Sequence, residues 1–168
     1  MNGLVTHNER VHAIICTRTF QKRVTEMSEE SVIVRIEKEI LDPNYLRSLI
    51  DIEGCGSVVS FVGLTRADDN GIEVKRLEFD SWEEKLTIIL SDIAKNSIHK
   101  FGVKSVLVAH RIGVVEPTEP IVCIHVSSRH RDVGFQACSW LITQLKLQAP
   151  LWKKEVRIDG EVWKQGLG

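Results

Sequence analysis

The feature of this sequence that most constrains its fold is the mixing of strand patterns with helix patterns along one chain. SVVSFVG at 57–63 is a short β-branched apolar run, typical of a central strand. A helix is predicted over 83–100, where apolar residues recur at helical spacing, and Gly102 follows as a stop signal. Another is predicted from Arg131 to Gln148, with Pro150 preventing its continuation and with an inner stripe of Phe135, Cys138, Leu141, Ile142 and Leu145.

Further strand patterns surround these helices. One begins at Ser31, and a short helix follows it, with Asp42 as N-cap, Pro43 as its first residue, and Gly54 and Gly56 as its stop. The other strands are predicted at 74–82, 103–115, 119–128 and 151–158. The polar turn at 67–71 indicates that 57–63 and 74–82 pair as a hairpin or lie side by side. This intermixing, with a hairpin-like link, favours an α+β fold over a doubly wound parallel sheet.

The size and charge of the chain limit its function classes. At 168 residues it fits one domain, predicted over 27–168, and residues 1–26 are interpreted as a non-core N-terminal extension. The basic character of 1–26 leaves an organellar presequence as the alternative. No apolar run reaches the ~20 residues of a membrane span, so no membrane association is expected. The formal net charge is −1, so any site for an anion must come from locally clustered basic side chains.

The cysteines and histidines predict neither disulfides nor a metal site. Cys16, Cys55, Cys123 and Cys138 are widely spaced, which indicates free thiols in a reducing compartment and a cytoplasmic location. His110, His125 and His130 come from strand regions, but the sequence has no metal-ligand spacing around them.

Basic residues stand where predicted elements begin or end, which is where side chains can converge on a ligand. Arg66 follows the strand at 57–63, and His130 and Arg131 open a helix, whose N-terminus favours anions. Lys146 lies near the end of that helix, and Lys153 and Lys154 follow Pro150. Each has a plainer interpretation as a solvated charge, an ion pair or a dipole-compensating lysine. Because adjacent strand residues face opposite ways, only half of the Lys153-Lys154 pair need face a site.

Several motifs occur in series: GSVVSFVGLTR, AHRIGVVEPTEP, VSSRHRDVGFQAC and LKLQAPLWKKE. Over roughly residues 31–164 the chain resembles the MoaE family, the large subunits of molybdopterin synthase. The resemblance implies an α/β-hammerhead-like fold with an additional antiparallel sheet. It implies a sulfurtransferase that converts cyclic pyranopterin monophosphate into the molybdopterin dithiolene. The implied sulfur donor is the C-terminal thiocarboxylate of a small ubiquitin-like subunit of the MoaD type. The family's homodimer within a heterotetramer is implied too, with no cofactor. The near-neutral net charge argues against nucleic acid as a partner.

The resemblance also implies a set of site residues. Lys146 and Lys153 match the family's catalytic lysines. The substrate-binding set carried over by motif is Thr65, Arg66, His130, Arg131, Lys146, Lys153, Lys154 and Glu155. Leu64 and Thr65 depart from the family's pattern before the arginine.

The spacing of two of these residues predicts a shared site. Arg131 and Lys146 are fifteen positions apart on one predicted helix, or about 22 Å at the rise of an α-helix. One small substrate cannot contact both within one chain, so His130 and Arg131 are expected to come from the neighbouring subunit of a dimer. Two alternatives stay open: an inactive scaffold that binds the small ubiquitin-like carrier, and a module that binds RNA or phosphorylated ligands.

Overall fold

A computed structural model describes residues 31–164. The elements in chain order are the strands and helices β1 (Ser31–Glu37), α1 (Pro43–Ser48), β2 (Ser57–Leu64), β3 (Asp68–Asp69), β4 (Ile72–Ser81), α2 (Glu83–Phe101), β5 (Ser105–Arg111), β6 (Gly113–Val115), β7 (Pro120–Ser128), α3 (Arg131–Gln148), β8 (Leu151–Arg157) and β9 (Gly160–Lys164). The predicted α+β class is confirmed, and so are the three predicted helices. The extension predicted at 1–26 lies outside the described residues, and the domain bounds stay a prediction.

Local signals explain where the helices begin and end. The Asp42 carboxylate caps α1 by accepting hydrogen bonds from the N–H groups of Asn44 and Tyr45. Gly102 ends α2 in the left-handed conformation, at φ 64°. The short helix ends at Ser48, well before Gly54 and Gly56, which the sequence had suggested as its stop.

The strands form two sheets. The first has the order β1-β5-β7-β2, with β1 parallel to β5 and the other pairs antiparallel. The second has the order β3-β4-β8-β9, with β6 also paired to β4, and is the additional antiparallel sheet that the resemblance implied. Helices α2 and α3 pack on one face of the first sheet, where Val106, Val108 and Ile124 are buried. Helix α1 packs on the opposite face, against Leu107, Ala109 and Cys123.

Three expectations about these elements were wrong. β2 and β4 do not pair: β2 pairs with β7 and β4 with β8, so the 65–71 connection passes from one sheet to the other. The apolar stretch 103–115 is two strands rather than one, because Gly113 at φ 78° redirects the chain into the second sheet. Phe135 is 62% exposed rather than part of the inner stripe of α3, since it lies about 100° around the helix from the buried Gly134.

Candidate active site

A cavity of about 500 Å³ opens where the end of β2, the C-terminal half of α3 and the second sheet meet. Its interior is largely apolar, and the apolar lining comes from both sheets and from α3: Phe61, Val62, Leu64, Val74, Leu77, Phe79, Ile121, Val122, Ile142 and Leu145. An open depression of about 670 Å³, lined by residues 64–68, Asn70 and Thr118, adjoins it and shares Leu64, Thr65, Arg66 and Asp68 with the cavity. Two ligands could therefore meet at these shared residues.

Three of the predicted basic residues line this cavity, each from a different element. Arg66 follows β2, Lys146 lies in the last turn of α3, and Lys153 is on β8. The Lys153 side chain is only 12% exposed, and this burial lowers its pKa below the ordinary lysine value. The carboxylate of Glu155 opposes that shift, whereas the positive charges of Lys164 and Arg66 add to it. The fold thus brings together cations that are far apart in the sequence.

Thr65 and Glu155, both predicted for the site, are also part of its lining. Thr65 is 3% exposed, and its hydroxyl makes no hydrogen bond to the described part of the chain. Its backbone is held firmly, since its N–H donates to the Glu119 carbonyl at 3.0 Å and its own carbonyl accepts from the Thr118 N–H at 2.8 Å. Glu155 is 6% exposed, with Oε1 3.7 Å from the Nζ of Lys153. A buried hydroxyl and a buried carboxylate are therefore available to a ligand.

Lys154 does not line the cavity. As the neighbour of Lys153 on a strand, it projects from the opposite face of β8. There its ammonium contacts the carboxylates of Glu78 at 2.7 Å and Glu161 at 3.2 Å. Burial of both lysines in one site would break the alternation of the strand. The substrate contact predicted for Lys154 has no support from this placement within one chain.

His130 and Arg131 also lie outside the cavity, at the opposite end of α3 from Lys146. His130 is the N-cap residue of α3, and its side chain makes no capping hydrogen bond. The Arg131 side chain is 80% exposed and forms an ion pair with Asp132 at 3.7 Å. The structure therefore brings Arg66, Lys146 and Lys153 together but leaves the His-Arg pair a helix length away within one subunit.

Gly134 lets the start of α3 approach the first sheet closely. A Cβ placed there would be 2.7 Å from Ser128 Oγ and 3.1 Å from Val59 Cγ2. A side chain at this position would fit only if the Ser128 hydroxyl and the Val59 methyl group moved away. The position of His130 and Arg131 thus depends on a close helix–strand contact.

His110 is a cavity residue for which the sequence predicted no role in ligand binding. It is 2% exposed, its ring packs edge-on against Phe79, and its Nδ1 is 2.7 Å from the carbonyl oxygen of Arg111. Because a carbonyl only accepts, Nδ1 carries the proton, and in the neutral ring Nε2 is an acceptor. Burial lowers the pKa of His110 to about 4, so the ring is neutral near pH 7. The strand alternation of β5, which places residue 110 on the face of Val106 and Val108, was the signal for its burial.

Asp69 on β3 is a further acidic residue of the lining that sequence reasoning did not single out. The sequence predicted a polar turn at 67–71, whereas Asp68 and Asp69 form the short strand β3.

Across residues 31–164, no three His, Cys, Asp or Glu side chains cluster closely enough to bind a metal ion. Within the same residues, no helix has the length and apolar character required to cross a membrane.

Comparison of the sequence with known protein families gives a match. The model of the MoaE family, described as "MoaE protein", matches residues 36–148. The chain belongs to the MoaE family. The matched range contains Arg66, His130, Arg131 and Lys146 and ends before Lys153.

Curated relatives and a solved structure agree with this membership. The chain is 34% identical over 145 residues to a molybdopterin synthase catalytic subunit from Arabidopsis thaliana, covering 86% of this chain and 70% of the relative. It is 34% identical over 149 residues to the protein of the same name from Homo sapiens, covering 86% and 77%. The structure of molybdopterin synthase from Staphylococcus aureus superposes with a TM-score of 0.72 at 28% identity, covering 83% of this chain and 98% of that chain.

Proposed function

We propose that this MoaE-family chain is the catalytic, sulfur-transferring subunit of a molybdopterin synthase. The reaction moves sulfur from the C-terminal thiocarboxylate of a small ubiquitin-like carrier of the MoaD type to cyclic pyranopterin monophosphate. The observation that carries the proposal is the convergence of Arg66, Lys146 and Lys153, from three separate elements, on one cavity. The names of its relatives, molybdopterin synthase catalytic subunits, support the same activity.

The chemistry of the two substrates accounts for this convergence. One carries a cyclic phosphate and the other a thiocarboxylate, so two anions must come within bonding distance. Bringing like charges together in a partly dry site is costly unless fixed cations surround them. The net charge of the whole chain is −1, so the required positive potential has to come from this local cluster.

We assign different tasks to the residues around the cavity. Arg66 binds the phosphate or the pterin edge, where its forked donors suit an anion, and Thr65 beside it offers a buried hydroxyl. Lys146 and Lys153 orient the thiocarboxylate. The sulfur bonds to a side-chain carbon of the pyranopterin as the C–O bond at that carbon breaks, and the departing oxygen takes up a proton. Water then cleaves the bond between the sulfur and the carrier's acyl carbon, which leaves the sulfur on the pterin as a thiolate. The ammonium groups of Lys146 and Lys153 stabilise the oxyanions that form and donate the protons. The carrier leaves as a carboxylate.

A two-fold dimer would complete the site with His130 and Arg131. At 100° per residue, Arg131, Phe135, Ser139, Ile142 and Lys146 form one stripe along α3. Arg131 and Lys146 lie at equal distances from the centre of this stripe, and so do Phe135 and Ile142. A two-fold axis near Ser139 would therefore bring Arg131 of one subunit beside Lys146 of the other.

The edge of the first sheet supports the same axis. β2 is an edge strand whose sequence, SVVSFVGL, contains no charged residue and no proline. Proteins usually protect an exposed edge with such residues, so an unprotected edge indicates pairing with another strand. The opposite edge, β1, carries Arg35 and Glu37. If the β2 strands of two subunits paired antiparallel, the start of β2 in one subunit would lie beside the end of β2 in the other. His130 of the first subunit would then be near Thr65 of the second.

The assembly that follows is a homodimer of this chain with a carrier subunit at each cavity, a heterotetramer. It would act on small-molecule and peptide substrates, without nucleic acid. A cytoplasmic location stays a prediction that the cysteines suggest; Cys55, Cys123 and Cys138 are free thiols in the described residues.

A complementation assay tests the activity and the shared site together. Each variant, His130→Ala and Lys146→Ala, is incubated with cyclic pyranopterin monophosphate and thiocarboxylated carrier, and dithiolene product is measured. Both should be nearly inactive alone. Mixed after subunit exchange, they should recover about one quarter of wild-type activity, since half of the dimers are hybrids with one intact site. No recovery above the separate variants would overturn the shared site, and a wild-type chain that binds the carrier without product would identify a scaffold.

A further inference from the structure

Six side chains of alternating charge run from the cavity to the far end of the second sheet. We call this set the charge ladder; its members in spatial order are Lys153, Glu155, Lys164, Asp69, Arg157 and Asp159. The successive ion-pair distances are 3.7, 3.5, 2.7, 3.8 and 3.1 Å. Lys153, at the cavity end, is the member to which the proposed function gives a catalytic role.

The shortest contact of the charge ladder anchors Lys164. Its Nζ is 2.7 Å from Asp69 Oδ2, and both side chains are partly buried, at 33% and 13% exposure. This hydrogen bond raises the pKa of Lys164 and lowers that of Asp69, so both are charged over the neutral range. Lys164 is thus a fixed positive charge on β9, joined to β3, which follows Arg66 in the chain.

The Glu155 carboxylate lies between the ammonium groups of two lysines and forms a close ion pair with neither. Its Oε1 is 3.7 Å from Lys153, and its Oε2 is 3.5 Å from Lys164. Both distances exceed the ~2.8 Å of a close lysine–carboxylate hydrogen bond. Oε2 accepts no hydrogen bond of ordinary geometry from the described residues. One buried carboxylate is therefore divided between two cations.

We propose that Lys164 is a positioning residue of the active site, which holds Glu155 away from Lys153 and thereby leaves the Lys153 ammonium directed at the cavity. Without the charge of Lys164, the whole carboxylate would be available to Lys153, and the two would close into a tight buried pair. The role is indirect, because Lys164 itself does not line the cavity. The inference rests on the proposed function only in giving Lys153 its catalytic task.

The sign of the expected effect follows from the charges. In Lys164→Gln, Lys153 loses a like charge and gains an undivided Glu155, and both changes favour its charged form. The pKa of Lys153 should therefore rise in this variant. The other titratable side chains that face the cavity are Arg66, Asp68, Asp69, His110 and Lys146. Asp69 loses its contact with Lys164 in this variant, and its negative charge, no longer paired with Lys164, would also favour the charged form of Lys153.

The test is an NMR titration of the full chain with ¹³C-methylated lysines, with the Lys153 signal assigned from Lys153→Arg. The Lys153 midpoint should move to higher pH in Lys164→Gln and stay near the wild-type value in Lys164→Arg, which keeps the charge. Lys104→Gln is the matched control, because Lys104 is 32% exposed and pairs with Asp51 at 3.0 Å, away from the cavity. Thermal melting of each variant verifies that it is folded.

Kinetics supply the second readout. The alkaline limb of the kcat/KM profile should move to higher pH in Lys164→Gln, and kcat near pH 7 should fall by about 2- to 10-fold as Lys153 becomes a poorer proton donor. An unchanged or lowered Lys153 midpoint in Lys164→Gln would overturn the proposal. Because the titration needs no turnover, a raised midpoint in a chain that forms no product would instead count against the proposed function alone.

Discussion

Lys153 and Lys154 are adjacent in the sequence, yet β8 directs them to opposite faces of its sheet. Lys153 lines the cavity beside Glu155, whereas Lys154 forms a 2.7 Å ion pair with Glu78 on the other face. Because strand geometry fixes this difference, two equal substitutions one residue apart separate a cavity role from a surface role.

We therefore expect Lys153→Gln to lower kcat/KM for dithiolene formation by roughly 100-fold or more, since it removes a cation and proton donor from the reacting centre. Lys154→Gln should lower it by less than about 5-fold, because a partly exposed ion pair contributes little. Steady-state assays with preformed thiocarboxylated carrier measure both values. Equal losses in the two variants would show that Lys154 also reaches substrate, as the family resemblance implied.

The stripe on α3 predicts what a charge at Phe135 would do. Phe135 is 62% exposed on this stripe, between Arg131 and the helix centre. In the proposed dimer it packs against the partner's Ile142, so Phe135→Glu should yield monomers and lose most activity. Analytical ultracentrifugation measures the mass. Ile88→Glu, at a similarly exposed apolar position on α2, is the control and should leave both mass and activity unchanged.

Buried His110 predicts a pH dependence of stability. Its folded pKa of about 4 lies below the ordinary 6.5, so the folded state binds fewer protons than the unfolded state between these values. The contribution of the neutral His110 ring to the free energy of unfolding is thus complete above pH 6.5. It is lost as the pH falls toward 4, by about 3 kcal/mol in all.

Urea unfolding at a series of pH values measures this slope. His110→Gln should be less stable at pH 7 but should lose less stability than the wild type between pH 6.5 and 4. Val108→Ala provides the comparison, because it removes buried side-chain volume from the same strand without removing a titratable group, and it should retain the wild-type slope. A wild-type slope in His110→Gln would mean that other groups cause the pH dependence.

Gly134→Ala should test the close contact at the start of α3. The added methyl would meet Ser128 Oγ and Val59 Cγ2 inside normal contact distance. The strain should outweigh the gain in helix propensity, for a net loss of about 1 to 2 kcal/mol of unfolding free energy. Urea denaturation gives the value, and Gln136→Ala, exposed on the same helix, should be neutral or slightly stabilising. A stabilised Gly134→Ala would contradict the contact.

The sequence predicted local structure well where a short-range cause acts. Asp42 and Pro43 start α1, Gly102 ends α2 and Pro150 follows the end of α3, because caps and breakers act within a few residues. It also predicted that Arg66, Lys146 and Lys153 act together, but through family resemblance, since no spacing along the chain relates them.

Tertiary structure decided the rest. The distribution of strands between two sheets depends on pairings over many residues, such as β2 with β7, and adjacent apolar runs do not encode them. Long-range packing also determines the burial of His110 and the exposure of Phe135. It likewise forms the charge ladder, in which Asp69 and Lys164 meet from positions 95 residues apart. Local propensity therefore determined the elements themselves, whereas the electrostatics of the cavity came from the contacts that only the packed sheets create.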